Sequence, residues 1–395
     1  MTTRILLLSF YYPPDLAAGS FRMEALVQAL LKESSNNVQI DVITTQPNRY
    51  IAYTAAAADS QQSPALSIRR IGVRPHKSGY LDQTRAFASY ASGVCKAVRG
   101  KKYDLIVASS SRLMTASLGA YIAFRSKTPL YLDIRDIFVD ILPELFPGRL
   151  GWLAAKTFRP IEGFTIRQAK MINLTSPGFF SYFYARYPDK AFSMRTNGVD
   201  ELFLSPPPPK HIVKLPGDVI NVVYAGNIGA GQGLDLILPQ MAKRLEGVAY
   251  FYIVGAGGGL DNLRQALQLA NVSNVELIAP MERSGLLAFY QKADVLFVHL
   301  NSFKSLHRVI PSKVFEYAAT GKPILAGVSG YTARFITTNI INATVFEPCD
   351  VDGAVTGLKD LSLNFVRREA FVKNYSRLLT QKGMARDVLG MCHTV

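Results

Sequence analysis

Cysteine is scarce in this chain of 395 residues. Cys95, Cys349 and Cys392 stand far apart, with neither metal-ligand spacing nor an even set for a disulfide framework, so a reducing, cytoplasmic setting is expected. Long apolar runs are lacking as well. The opening "RILLLSF" is too short to span a bilayer and runs into Tyr-Tyr-Pro-Pro, which reads as a first buried strand and not as a signal peptide. No zinc spacing, aromatic RNP-like run or basic zipper helix is present, so no nucleic-acid partner is expected. Acidic residues are outnumbered: 29 Asp and Glu face 44 Lys and Arg, a formal net charge of +15. The excess is uneven, 25 basic against 15 acidic residues up to position 205 and 19 against 14 beyond it. An anionic membrane surface is therefore the expected partner of the N-terminal half, with the basic run Arg69, Arg70, Arg74 and Lys77 among the contacts.

What is present is a globular composition, 49% hydrophobic and 18% charged, on a chain too long for one ordinary core. Apolar, β-branched segments ("RILLLSF", "VQIDVIT", "YDLIVAS", "PLYLDIR", "KMINLTS") alternate with helical patterns. After residue 205 the series restarts with "VINVVYAG", "VAYFYIVG", "NVELIAP", "DVLFVHL", "KPILAG" and "ATVFEP". Near-continuous apolar strands separated by helices predict parallel sheets covered on both faces, hence an α/β chain of two doubly wound domains. The proline-rich "SPPPPKHIVKLPGD" (205–218) reads as an extended linker between a first domain, 1–205, and a second, 206–365. Residues 366–395 read as basic amphipathic helices, and 46–66 as a mobile loop after the second strand.

Ligands of open parallel sheets sit beyond the carboxyl ends of strands, which singles out four loops. In "FYYPPDLAAGSFR", Gly19 stands where a helix begins. In "YAGNIGAGQGLD", Gly226, Gly229, Gly231 and Gly233 can turn backbone N–H groups toward a diphosphate, and no Gly-Lys-Ser/Thr of a P-loop follows. "VGAGGGL" starts like a dinucleotide fingerprint at Gly255 and Gly257, but Leu260 occupies the third glycine position. In "IPSKVFEYAATGKPILA", Pro311 suits a first helical position, and Lys313 and Glu316 share one helix face. Lys313 fits a phosphate and Glu316 the hydroxyls of a ribose; a surface ion pair is the bland alternative.

The segments "FYYPPDLAAGSFR", "LDIRD", "TNGVD", "YAGNIGAGQGLD" and "IPSKVFEYAATGKPILA" together resemble the retaining family 4 glycosyltransferases of GT-B fold. The similarity is to the bacterial subgroup that adds N-acetylated amino sugars of the N-acetylfucosamine type in surface-polysaccharide assembly. It implies two Rossmann-like domains facing across a cleft, the first binding acceptor and the second a UDP-sugar, with the C-terminal helices crossing back to the first. It implies that Glu316 binds the donor ribose and that Ser312 and Lys313 face the diphosphate. Gly19, Gly226, Asn227, Gly229, Gly231, Gln232 and Gly255 complete the expected donor set. The chain departs from the family pattern at Arg308, where a glutamate is usual eight residues before Glu316, and at Asn227 and Gln232, where an Arg and a Lys are usual. Lys313 and Arg308 are expected to take over the role of those missing cations.

Catalysis is then expected from positive groups and backbone N–H groups aimed at the departing diphosphate, with no metal or other cofactor. Asp136, at the end of "PLYLDIRD", is a candidate for orienting the acceptor hydroxyl or the donor sugar; alternatively Asp133, Arg135 and Asp136 form a structural charge cluster. His76 reads as a solvated loop histidine. The stretch around Trp152 mixes aromatic and basic residues suited to lipid headgroups, or to a packed helix pair. A lipid-linked saccharide acceptor and peripheral attachment to the inner membrane face follow from the resemblance. A sugar-nucleotide epimerase or oxidoreductase, and a catalytically silent scaffold of the same fold, are the competing functions.

Overall fold

The computed structural model describes residues 2–34, 37–49, 57–73, 80–110, 112–146, 148–204 and 219–392. The chain forms two compact units, 1–197 with 377–395, and 198–376. The proline-rich linker, His76, Arg74 and Lys77 lie outside the described residues.

The first unit holds one sheet of β1 (Thr3–Leu8), β2 (Val38–Thr45), β3 (Ser60–Gln62), β4 (Leu66–Ile71), β5 (Leu105–Ser109), β6 (Leu130–Ile134), β7 (Met171–Leu174) and β8 (Ala191–Ser193). Their order is β3-β4-β2-β1-β5-β6-β7-β8, parallel except for the antiparallel edge pair β3–β4. The five segments predicted as strands are strands. Ile5 and Leu7 of β1 pack with Met23, Leu26 and Leu30 of the helix Ala18–Glu33 and with Met384 and Val388 of the C-terminal helix. That last contact explains the domain division. Phe371, in the helix Glu369–Asn374, belongs to the core of the second unit, so only the helix Arg377–Gly390 joins the first.

Two expectations for this unit need correction. The stretch read as a mobile loop contains β3 and leads straight into β4, which pairs in register with β2 from Leu66 to Ile71. Its sequence, LSIRRI, hides the strand because a basic residue takes a buried position. That residue is Arg70, expected at a membrane surface: its guanidinium is buried and donates to the carbonyl oxygens of Ala58 and Pro13. A cation spent on two buried backbone carbonyls inside the protein cannot touch lipid.

The second unit holds β9 (Ile220–Ala225), β10 (Ala249–Val254), β11 (Val275–Ile278), β12 (Val295–His299), β13 (Ile324–Gly327) and β14 (Ala343–Phe346). All pairs are parallel, in the order β11-β10-β9-β12-β13-β14. Successive residues of β9 serve opposite cores. Val223 and Ala225 pack with Val314, Phe315 and Tyr317, whereas Val222 and Tyr224 pack with Ile237 and Met241. Helices on both faces are why the strand reads as an unbroken apolar run. Counted within the unit, the strand order is 3-2-1-4-5-6, so the crossovers reverse direction between β9 and β12. Their carboxyl ends flank the crevice where doubly wound sheets bind ligands.

Candidate functional site

Three segments meet at that reversal: the glycine loop 226–233 after β9, the chain after β12, and the helix Ser312–Ala319. The helix is moored by Tyr317, whose hydroxyl accepts the N–H of Ala225 at 2.9 Å. Four residues earlier on the same face stands Lys313, which that mooring carries over the end of β9. Its ammonium lies 3.7 Å from the ring centre of Tyr224. It is shut off from solvent and has no hydrogen-bond partner. Desolvation pulls its pKa down to about 7, against the opposing influence of the Glu316 carboxylate. Gly226, at φ +145°, makes room for this cation: a Cβ there would stand 2.8 Å from Nζ.

The glycine loop is held from behind. Asn301 donates its side-chain N–H to the carbonyl of Ala230 (2.8 Å) and its backbone N–H to that of Gly231 (2.9 Å). His299, fully buried at the end of β12, bonds through Nδ1 to the carbonyl of Gln232 at 2.6 Å and through Nε2 to the N–H of Cys349 at 3.0 Å. Since Nε2 must accept, Nδ1 carries the proton and the ring is neutral. Burial lowers its pKa to about 4, and the Lys313 charge acts in the same direction. With these carbonyls turned toward β12, the N–H groups of Gly229, Ala230 and Gly231 find no acceptor among the described residues. Successive backbone N–H groups without a protein acceptor suit an anion, and the same loop begins at Gly226, which touches the buried Lys313 ammonium. Neither His299 nor Asn301 was among the expected site residues. The sequence signal was there, a polar His-Leu-Asn closing the strand "DVLFVHLN" where a hydrophobic run should simply end.

The remaining expected donor residues fall into distinct roles. Asn227 and Gln232 bond to each other across the loop at 2.8 Å, bracing it in place of two cations. Gly255 and Gly257 serve packing between the two loops: a Cβ on Gly255 would collide with the carbonyl of Gly226, and one on Gly257 with that of Ile228. Ser312 opens the helix and Pro311 precedes it as the capping residue, one position earlier than expected. Glu316 is half-buried on the same helix as Lys313, and Arg308 ends a short turn, Lys304–Arg308, whose Leu306 lies against Gly231.

Gly19 and Asp136 belong to the first unit. Gly19 is buried in the first turn of the helix after β1. Asp136 stands in the loop after β6; the residue reaches solvent, yet desolvation by the surrounding atoms raises the pKa of its carboxyl to about 6 against the opposing charge of Arg135. Asp133 has a different fate: its carboxylate takes both Arg22 nitrogens at 2.9 Å and the Asn173 amide at 2.7 Å, all buried. Asp133 is thus structural, but through Arg22 and Asn173 and not through Arg135 and Asp136 as the cluster reading had it, and both of its oxygens are engaged. Asp15, passed over in the sequence, follows β1. It is buried, accepts the N–H groups of Asn48 and Arg49 on one oxygen, and leaves the other unpartnered. Burial raises its pKa to about 6. No group of three or more His, Cys, Asp or Glu suited to a metal occurs among the described residues.

Residues 210–377, a stretch that takes in most of the second unit, match the family model described as glycosyl transferases group 1. WcaI of Escherichia coli (strain K12), named for a glycosyl transferase of colanic acid biosynthesis, is 25% identical over 182 residues. That stretch is 45% of this chain and 44% of WcaI, so the match spans less than half of the relative's length. Sucrose-phosphate synthase from Thermosynechococcus elongatus superposes with a TM-score of 0.69 at 14% identity, covering 99% of this chain and 96% of its own. Anabaena HepE, solved in complex with UDP-glucose, gives 0.69 at 16% identity, covering 98% and 99%. The chain shares their fold, GT-B, with a largely parallel α/β sheet in each unit.

Proposed function

We propose, on the premise of a group 1 glycosyltransferase domain in the second unit, that the chain transfers a sugar from a UDP-sugar to a lipid-linked saccharide with retention of anomeric configuration. The observation that carries the reading is the buried, unpartnered Lys313 ammonium against Gly226, where the loop begins whose Gly229, Ala230 and Gly231 N–H groups lack a protein acceptor. A diphosphate would satisfy all of them at once. Glu316 accepts the ribose hydroxyls, and Arg308 supplies a second cation to the departing UDP. As the bond from C1 to the diphosphate oxygen breaks, charge grows on that oxygen, and prepaid donors stabilise it most at that moment. The acceptor hydroxyl bonds to C1 on the same face and its proton passes to the leaving phosphate oxygen. Asp136 orients the acceptor hydroxyl or the donor sugar.

The UDP-glucose held by HepE supports a UDP-sugar donor, and the name of WcaI supports a role in surface-polysaccharide assembly. The finer reading is an N-acetylated amino sugar as donor, a polyprenyl-diphosphate saccharide as acceptor, and work at the inner membrane face. Calorimetric titration of a UDP-sugar panel, followed by transfer to polyprenyl-diphosphate saccharides with NMR of the new linkage, tests each part. Bound NAD with product formed in the absence of acceptor would establish the epimerase alternative. A protein that binds no nucleotide would be a scaffold, and transfer only to free sugar phosphates would remove the lipid acceptor.

A further inference from the structure

The helix Arg149–Gln168 of the first unit turns an apolar face to solvent. Leu150 is 59% exposed, Trp152 62% and Leu153 55%. The cause is local. Gly151, between them, is buried so tightly that a Cβ would stand 2.7 Å from Cα of Pro143 and collide with the carbonyl of Phe146. That seat against the preceding helix, Phe138–Leu145, forces the side chains on either side of Gly151 outward. The core does not need them, because the helix pair is already closed by Val139, Leu142 and Ala155, with Phe138 and Phe158 edge to face at 5.3 Å. Positions 149, 152, 153 and 156 follow the i, i+3, i+4, i+7 spacing of a single helix face, and it is this outward face that carries Trp and Leu.

The charge pattern says what covers it. Arg149, Lys156 and Arg159 are all exposed around the apolar group, and the Lys156 ammonium lies 5.0 Å from the Trp152 ring centre. The helix has one carboxylate, Glu162, which is buried and accepts from the Tyr182 hydroxyl at 2.9 Å. An apolar knob with an indole, on a helix whose exposed charged residues are all basic, has the chemistry of an interfacial helix and complements an anionic headgroup layer. Among the described residues no helix is long and apolar enough to cross a membrane, so attachment through them is peripheral. We propose that Leu150, Trp152 and Leu153 insert into the headgroup region of an anionic bilayer, with Arg149, Lys156 and Arg159 contacting lipid phosphates. The proposal deepens the lipid-linked acceptor reading and replaces the buried Arg70 as a membrane contact.

Trp152 is the only tryptophan in the chain, so its emission reports the event directly. Full-length protein is titrated with phosphatidylglycerol–phosphatidylcholine vesicles, following emission, quenching by brominated acyl chains, and co-sedimentation. The emission should shift to the blue, be quenched by the brominated chains, and persist in part at high salt. Leu150→Ser combined with Leu153→Ser should weaken partitioning about tenfold or more. Lys156→Glu combined with Arg159→Glu should weaken it about tenfold on anionic vesicles and leave neutral ones unaffected. UDP affinity unchanged in both variants shows that they fold. Emission and sedimentation of the native protein that ignore anionic vesicles at low salt overturn the proposal. So does a blue shift that needs no lipid, rises with protein concentration and accompanies a dimer in sedimentation velocity, which assigns the face to a second copy. Vesicle binding without UDP affinity supports the proposal and overturns the donor reading instead.

Discussion

Lys313 holds its ammonium 3.7 Å from the ring centre of Tyr224, closed to water and without a hydrogen-bond acceptor. Aromatic attraction and the Glu316 charge offset only part of the desolvation, which is why the pKa falls to about 7. An arriving diphosphate favours the charged form, so binding raises that pKa and, above pH 7, draws a proton from solvent. UDP affinity should therefore weaken as pH rises through 7. Calorimetry in buffers of different ionisation enthalpy should record proton uptake at pH 8 that vanishes in Lys313→Ala. The same variant should lose more turnover than donor affinity. Uptake that survives the substitution would assign the proton to another group.

Replacing Glu316 by Ala should raise the UDP-sugar dissociation constant roughly tenfold to a hundredfold, because hydrogen bonds to a charged acceptor contribute about 1.5–3 kcal/mol. The comparison of UDP with 2′,3′-dideoxy-UDP localises the effect. If both nucleotides lose affinity equally, Glu316 does not read the ribose.

His299 ties the glycine loop to β12 and to the Cys349 loop with a neutral ring. Its folded pKa, about 4, lies below the ordinary 6.5, so between these values the unfolded chain binds the extra proton. Its contribution to stability is complete above pH 6.5 and is lost as pH falls through 4, an effect of about 3 kcal/mol at most. His299→Ala should flatten that part of the pH–stability curve, cost about 2–4 kcal/mol at pH 7, and weaken UDP binding by loosening the loop. Denaturant titrations at pH 4, 5.5 and 7 check the slope.

Asp133 and Asp136 are separated by two residues, and their substitutions should separate cleanly. Asp133→Ala strands the buried Arg22 and should cost about 3–5 kcal/mol of stability. Asp136→Ala alters a residue that reaches solvent, so the melting temperature should stay put while sugar transfer falls with UDP affinity intact. Full transfer activity in Asp136→Ala would remove it from the reaction.

Sequence alone determined the two series of buried parallel strands, because apolar runs covered on both faces leave an unbroken signature. It also determined the loops worth inspecting, since glycines and a Lys–Glu helix face stood at strand ends. It could not show that Lys313 meets the ring of Tyr224 near the end of β9, or that His299 and Asn301 hold the glycine loop from behind. Nor could it tell Asp133, consumed by Arg22, from Asp136, or place Arg70 inside the protein and Trp152 outside it. Periodicity reports that a face is buried; it does not report which side chains meet there. That is decided by strand order. Only when crossovers reverse between β9 and β12 do the ends of the first and fourth strands of the unit become neighbours. The Lys313 ammonium then meets the Tyr224 ring at the end of β9, where the glycine loop held by Asn301 and His299 begins.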